Sequence, residues 1–400
     1  MASNQQISAR VRDLTPTLVQ LRHRLHRRPE LSGQEQATAA LIQEALTGWG
    51  IPCFRDGSTA VLGLIQGSRP GPTVGLRADI DALPIQEQSG EPFASQEPGK
   101  MHACGHDLHT AILLGAARVL SLETDFAGSI KLCFQPAEEI GGGVDQLLDL
   151  GLLADPVPGA FLALHVQPDT PTGTVHARPG AMMCASSGFR VEFTGAGGHA
   201  SQPDRTQDTV LAAAKFITDA QLIAARRAPR SEPLTVTVST IHGGTPGRAN
   251  IIPKQVVLEG TIRTPSRALH DDIHRYLRQV LQAAQLETGA QGEIAFRSGS
   301  DAVMNDPALT DCFLRGAAGL LGREHVSITP APYMVSDNFA RYGAFAPSVY
   351  FSLGVGRPRE QENPSLHSPF FTADDRAIPV GTAALVRGAL DFLHHLEVTS

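Results

Sequence analysis

The sequence predicts an α/β domain interrupted by a smaller α+β domain, and three observations carry that expectation. Its 400 residues exceed what one compact domain usually holds. The first half alternates short apolar runs with helical patterns, as a sheet covered by helices does. After Pro179 a self-contained order of strands and helices takes over, and the alternation returns at Pro307. Residues 1–184 and 299–400 are therefore expected to form one domain, with 185–298 inserted into it.

The elements follow in order. A helical pattern runs from about Leu14 to Leu25. After a break at Pro29 a second runs from about Gly33 to Trp49, with Ser32 as its N-cap. AVLGLI at 60–65, TVGLRADI ending at Ile80, SIKLCFQ ending at Gln135 and FLALHV ending at Val166 read as buried strands. Helical stretches such as LHTAILLGAARVL separate them, which suggests helices on both faces of the sheet. The insertion reads as strand FRVEFTG, a helix over about 206–226, strands LTVTVSTI and VVLEGTIRT, a helix over about 267–286, and strand EIAFRS. That order fits an α+β sandwich. SVYFSLG and a helix ending near Leu396 complete the larger domain. The chain has no internal repeat.

Composition removes several classes. Hydrophobic residues at 42% and charged residues at 18% give a globular balance. No stretch approaches the ~20 apolar residues of a membrane span. Acidic and basic residues are mixed and the formal charge is −7, so no basic face is offered to nucleic acid. MASNQQISARVRDL has no apolar core for a signal peptide, and a cytoplasmic location is expected. Five scattered cysteines argue against a disulfide framework. Cys53, Cys133, Cys184 and Cys312 lie among apolar or small residues and read as buried free thiols.

Cys104 differs, because it lies in MHACGHDLHT with His102, His106 and His109. Thiolate and imidazole suit zinc and related divalent ions. Positions two apart in an extended segment point to one side, so Cys104 and His106 are able to address one centre. Gly105 leaves the backbone between them free to bend. A histidine-rich loop at a helix start is the plainer alternative. FQPAEE places Glu138 and Glu139 just past an apolar run. Adjacent buried carboxylates repel; a metal offsets this by binding one and leaving the other as a base. Alone, the pair reads equally well as a solvated helix start. Its place beyond a buried strand, where an open α/β sheet presents its crevice, gives it weight. His165 ends FLALHV in the same way, although a lone strand-end histidine is more often a structural hydrogen-bonder. Asp79 and Asp81 close another strand, where a carboxylate orients a metal-bound histidine or binds a metal itself. His367, in LHSPF, is isolated in sequence.

Taken in order, LRHRLHRRPELS, LRADIDALP, MHACGHDLHTAILLGAA, FQPAEE, ALHV, GGHAS, GRANIIP, GTIRT and LHSPFF resemble one family. It is the amidohydrolase branch of the dinuclear aminoacylase/carboxypeptidase metallopeptidases. The branch includes hippurate hydrolases, N-acyl-amino-acid amidohydrolases and plant hydrolases of indole-acetyl-amino-acid conjugates. The resemblance covers about residues 17–390, and MHACGHD is its most specific element. It implies a zinc-peptidase-like α/β catalytic domain with an inserted α+β sandwich that serves as lid and dimerisation domain, hence a homodimer. It also implies Cys104, His106, Glu139, His165 and His367 as ligands of two divalent ions, with Cys104 able to lie between them, and Glu138 as catalytic base. Zinc, manganese, cobalt and nickel all suit these donors.

In the insertion, His199 of GGHAS resembles a histidine that reaches an active site, often that of the partner subunit, and stabilises an oxyanion. Asn250 of GRANIIP and Arg263 of GTIRT resemble substrate-holding positions. An arginine fork suits a free carboxylate, while a surface salt bridge is the alternative for Arg263. One stretch departs from the family. Many relatives carry a Gly-Ser-Glu-Asp-Phe-like segment where this chain reads MVSDNF from Met334 to Phe339, so Asp337 and Asn338 replace a Glu-Asp pair. That change bears on substrate preference, with Tyr333 and Arg341 in the altered pocket. The implied activity is hydrolysis of a small N-acyl amino acid by metal-activated water with Glu138 as base. Exopeptidase action on dipeptides uses the same chemistry and stays open, as does a metal-binding scaffold without turnover. No G-x-S-x-G elbow is present, which excludes a serine hydrolase of that kind.

Overall fold

A computed structural model describes residues 2–227, 229, 232–358 and 363–399. The chain divides into two compact units. The first comprises Met1–Gly180, Met304–Pro330 and Asn338–Ser400, and the second Ala181–Val303 and Ala331–Asp337. The expected boundaries at 184 and 298 differ from these, chiefly because 331–337 joins the second unit. Backbone pairing is the reason. Cys184 N donates to Tyr333 O and Val335 O at 3.1 and 3.0 Å, and Tyr333 N to Met182 O at 2.9 Å.

In the first unit an eight-stranded sheet has the order 53–54, 61–66, 127–135, 69–79, 160–171, 348–356, 175–177, 326–328. Its four strands Ala127–Gln135, Arg69–Asp79, Ala160–Pro171 and Ser348–Gly356 are mutually parallel. The chain leaves Arg69–Asp79 toward one side of the sheet and, after Ala127–Gln135, crosses to the other side for Ala160–Pro171. The strand order reverses at that point, where open α/β sheets leave a crevice beyond the carboxyl ends.

The helices depart from expectation in two respects. A capping box between Ser3 and Gln6 starts the first helix at Asn4, ten residues upstream of the predicted start, and it runs to Arg27. The second helix is Gln36–Gly48, and Ser32 does not cap it; Ser32 Oγ instead donates to Asp81 Oδ2 at 2.7 Å. The long helices Asn4–Arg27, Gln36–Gly48, His106–Ser121, Pro307–Leu321 and Ala377–Thr399 pack on one another over one face, and the short helix Val144–Asp149 packs against strand Ala127–Gln135 on the other, so helices lie on both faces as expected. Successive residues of a strand point to opposite faces. Leu162 meets Gly388 of the last helix, while Phe161 on the other face meets Tyr342 at a ring separation of 5.2 Å. Tyr342 and Phe339, on the 3-10 segment Asn338–Ala344, stack on that second face.

The second unit is an antiparallel sheet in the order 235–243, 255–264, 185–194, 291–298, with the helices Thr209–Arg226 and Arg267–Thr288 packed on it. Asp208 and Ser266 cap those helices. Phe189, Val191, Phe193, Phe216, Leu258, Ile262, Ile273 and Leu277 fill the space between the layers. Among the cysteines outside MHACGHD, Cys133 and Cys184 are buried as expected. Cys53 and Cys312 are only half-buried, one on a two-residue edge strand and the other on the margin of helix Pro307–Leu321. Among the described residues no helix is long and apolar enough to cross a membrane.

A buried ion cluster joins the first helix to His106–Ser121. Arg22 Nε donates to Asp107 Oδ2 at 3.0 Å, and His26 Nδ1 lies 2.9 Å from the same oxygen. His26 Nε2 faces Glu87 at 3.2 Å. Burial opposes a charge on His26, but Asp107 and Glu87 outweigh it and raise its pKa to about 9. The stability this contributes is complete below the ordinary histidine range and is lost as pH rises through about 9, some 3 kcal/mol in all. Urea unfolding of wild type and His26→Gln is expected to differ by about that amount at pH 6 and to converge near pH 10. An equal gap at both pH values would refute the charged assignment.

Candidate metal centre

The parallel strands bring their carboxyl ends to one place, and the expected donors stand there. Asp79 ends one strand, Gln135 ends its neighbour just ahead of Glu138 and Glu139, and His165 lies on a third. His106 opens helix His106–Ser121. Gly105, before it, is left-handed at φ 80°, and a Cβ there would lie 2.5 Å from Val166 Cγ2. No other residue type fits that turn.

Cys104 Sγ is 3.4 Å from His165 Nε2 and 3.3 Å from His367 Nε2. His367 Nε2 is 3.4 Å from Glu139 Oε1, which lies 3.8 Å from His106 Nε2. Two donors bound ~2.0–2.3 Å from one tetrahedral ion sit roughly 3.3–3.8 Å apart, so the spacing suits side chains that share an ion. Cys104, His106 and His165 form one group of donor atoms within 4.8 Å of one another; Cys104, Glu139 and His367 form a second. Cys104 belongs to both. Glu138 joins His106 and Glu139 in a third. All five expected ligands and the expected base thus come together. His106 Nε2 and Glu139 Oε1 are buried without a hydrogen-bond partner among the described residues. Such atoms are costly unless something fills the space between them, and a cation fits this donor set.

Each donor is aimed by a neighbour. His106 Nδ1 lies 2.9 Å from the Asp81 carbonyl oxygen and 3.1 Å from Asp81 Oδ1. This places the ring proton on Nδ1 and turns the Nε2 lone pair to the cluster. Of the two strand-end carboxylates expected to orient a histidine, Asp81 is the one that holds His106. Asp79 lies 3.6 Å from His106 Nε2 and is held by His109 Nδ1 at 2.5 Å and Arg77 Nη1 at 2.8 Å. His109 itself is committed elsewhere, since its Nε2 accepts from Val166 N at 3.0 Å. His165 Nδ1 donates to Val166 O at 2.8 Å, which directs Nε2 to Cys104. Asp81 Oδ2 also accepts from Glu139 N at 3.0 Å.

The sequence reading missed two supports. Ala137, at φ 55°, makes the left-handed turn that presents Glu138 and Glu139. Its N–H donates to the buried Glu35 carboxylate at 2.8 Å. Glu138 Oε1 accepts from Asn338 N at 3.1 Å. The Asn338 side chain is buried, accepts from Arg77 and Gln135, and donates to Gly142 O. Asn338 thus braces Glu138 instead of lining a substrate pocket. Arg341 is no pocket residue either, because both its terminal nitrogens pair with Asp145 at the surface, at 3.0 and 2.6 Å. Tyr333 belongs to the second unit.

Charge at the centre is strongly biased. Burial pushes the Cys104 thiol well above its usual range, so a bound cation is needed to hold it as thiolate. Burial opposes a charge on His106 too, but the Asp79 carboxylate outweighs it and raises its pKa well above the ordinary value, so a cation bound at Nε2 would displace a proton there. For Asp79 burial is outweighed by His106, Arg77 and His109, which keep it ionised.

The second unit carries His199, Asn250 and Arg263. His199 is exposed, follows the left-handed Gly197, and pairs with Ile251 on a short ribbon. Ala200 N donates to Asn250 O at 3.0 Å, so the two motifs are adjacent. His199 Nδ1 accepts from Ser201 N at 3.2 Å, which leaves its proton on Nε2. Arg263 makes no ion pair among the described residues; its guanidinium meets Thr261 Oγ1 and Ile262 O.

The model described as peptidase family M20/M25/M40 matches residues 75–391. This chain belongs to that family. It is 37% identical over 91% of its length to the N-acetyl-L-cysteine deacetylase of Bacillus subtilis, covering 85% of that protein. It is 33% identical over 96% of its length to thermostable carboxypeptidase 2 of Saccharolobus solfataricus, covering 97% of it. Among solved structures, a dinuclear metal-binding peptidase of the M20 family from Bacillus subtilis superposes with a TM-score of 0.81 at 30% identity, over 96% of this chain and 99% of that one. This M20-family chain is accordingly a hydrolase of amide bonds.

The geometry makes Asp81 a test of the centre. Asp81→Ala leaves His106 Nδ1 with only the backbone carbonyl and releases Glu139 N. Metal affinity, measured by competition with a chromogenic chelator, is expected to fall about 10–100-fold. Unchanged affinity would show that His106 needs no such support.

Proposed function

We propose that the protein hydrolyses N-acyl amino acids to a carboxylic acid and a free amino acid, working as a cytoplasmic homodimer. Two divalent ions, of zinc, manganese, cobalt or nickel, would be held by Cys104, His106, Glu139, His165 and His367. The observation that carries this reading is a cluster of five donors with one further carboxylate, Glu138, braced beside it. The chemistry supplied by bound ions is polarisation of the amide carbonyl and acidification of the attacking water. Glu138 accepts the water's proton and delivers it to the leaving amine. Asn338 N keeps one Glu138 oxygen in place throughout.

From the inserted unit, His199 would donate its Nε2 proton to the oxyanion, as its tautomer allows. Arg263, without an acidic partner, offers two parallel N–H groups to the free carboxylate of the amino acid. Asn250, beside His199, would hold the substrate. The deacetylase among the relatives supports an N-acyl substrate, while the carboxypeptidase keeps short peptides as the second reading.

The test is amine release by metal-reconstituted protein from N-acetyl, N-benzoyl and indole-acetyl amino acids, with dipeptides alongside. Turnover of the acylated set is expected. Dipeptides alone would make the protein an exopeptidase, and silence across the panel with metal bound would make it a scaffold. Glu138→Gln is expected to retain its metal and lose about 10²–10⁴-fold in kcat. Turnover near wild type in that variant would remove Glu138 from the reaction.

A further inference from the structure

The second unit holds another convergence of metal-binding atoms, which the hydrolytic reading does not use. His270 and His274 stand four residues apart on helix Arg267–Thr288, a spacing that sets both rings on one face. Their centroids are 4.3 Å apart. Both Nε2 atoms converge on Ser187 Oγ of strand Ala185–Thr194, at 2.9 Å for His270 and 3.2 Å for His274. Ser187 is buried, and the His274 ring is stacked on Phe296 at 3.8 Å, so the arrangement is held from both sides.

Two imidazoles at this helical spacing are the pair that binds zinc in helical metal motifs. The rings are kept neutral for that purpose. Burial lowers the pKa of both, and for His274 burial followed by His270 brings it to about 4. Neutral rings bind metal ions; the Ser187 hydroxyl donates to only one Nε2, so the ring whose Nε2–H donates to Oγ would carry its proton on Nδ1 instead when an ion takes that place. Asp271 Oδ1 lies 4.0 Å from His270 Nδ1, and Asp301 also acts on His270 electrostatically, while Arg267 pairs with both carboxylates and offsets them. A nucleophilic serine is the weaker reading, since Ser187 is 4% exposed and the Asp271 carboxylate lies beyond hydrogen-bond reach of the imidazole.

We propose that His270 and His274 form a separate binding site for a divalent transition ion such as zinc, through their Nε2 atoms, with Ser187 Oγ on its inner side. An ion there ties helix Arg267–Thr288 to strand Ala185–Thr194 and stabilises the folded unit by mass action.

The experiment is equilibrium dialysis of the full chain against graded free Zn²⁺, with bound zinc counted by atomic emission. Wild type is expected to bind one equivalent more than His270→Gln or His274→Gln, and both variants are expected to keep wild-type amide hydrolysis. The readout is a difference of one equivalent, so it does not depend on how many ions the Cys104 centre holds. Equal zinc in wild type and variants would overturn the site. Zn²⁺ is also expected to protect His270 and His274 of the wild-type chain from diethyl pyrocarbonate, read by peptide mass spectrometry. Full modification under saturating zinc would overturn it without any substitution.

Discussion

Burying several acidic groups at one edge of a sheet is the constraint around which this molecule is organised. Asp79, Asp81 and Asp107 are almost fully buried, and Glu139 nearly so. A buried carboxylate left uncompensated costs several kcal/mol, by the order of magnitude known for buried ions. The protein supplies its own cations to some of them. Arg22 and His26 neutralise Asp107, and Arg77 neutralises Asp79, to which His109 Nδ1 also donates. Glu139 is treated differently. Among the described residues its carboxylate pairs with the imidazoles of His106 and His367, one oxygen is without a hydrogen bond, and Cys104 beside it is a thiol that burial holds protonated. The fixed cations serve the carboxylates of the scaffold, and the donors left over face one another.

The backbone shows the same division. Ala137 and His367 are non-glycine residues with left-handed φ, a conformation that costs about 1–3 kcal/mol and persists only where its surroundings over-determine it. Each is held by one hydrogen bond from a segment remote in sequence. Ala137 N binds Glu35, and His367 N binds Ala103 O at 2.9 Å, next to Cys104. The two loops that carry Glu139 and His367 are therefore locked by contacts that form only when the first unit is complete.

Much of this was legible in the chain. MHACGHD, FQPAEE, ALHV and LHSPF name every donor of the cluster, because metal chemistry restricts residue types and leaves a local signature. The strands were legible from their apolar runs. What pairs with what was not. Nothing near His106 in sequence says that Asp81 will orient it, or that Ser32 will hold Asp81 instead of capping a helix. Asn338 read as a change in the substrate pocket, and only its burial against Gln135 and Arg77 shows it bracing Glu138.

The first unit is assembled from three separate stretches of chain, and the donor His367 lies in the last of them. During synthesis the inserted unit and most of the sheet leave the ribosome before that histidine exists. The central strand Ser348–Gly356 and the closing helix Ala377–Thr399 are likewise late arrivals. A chain that stops short of Ser348 is thus without both that donor and the neighbour of the His165 strand. The cluster of donors is complete only once the chain has been made as far as His367.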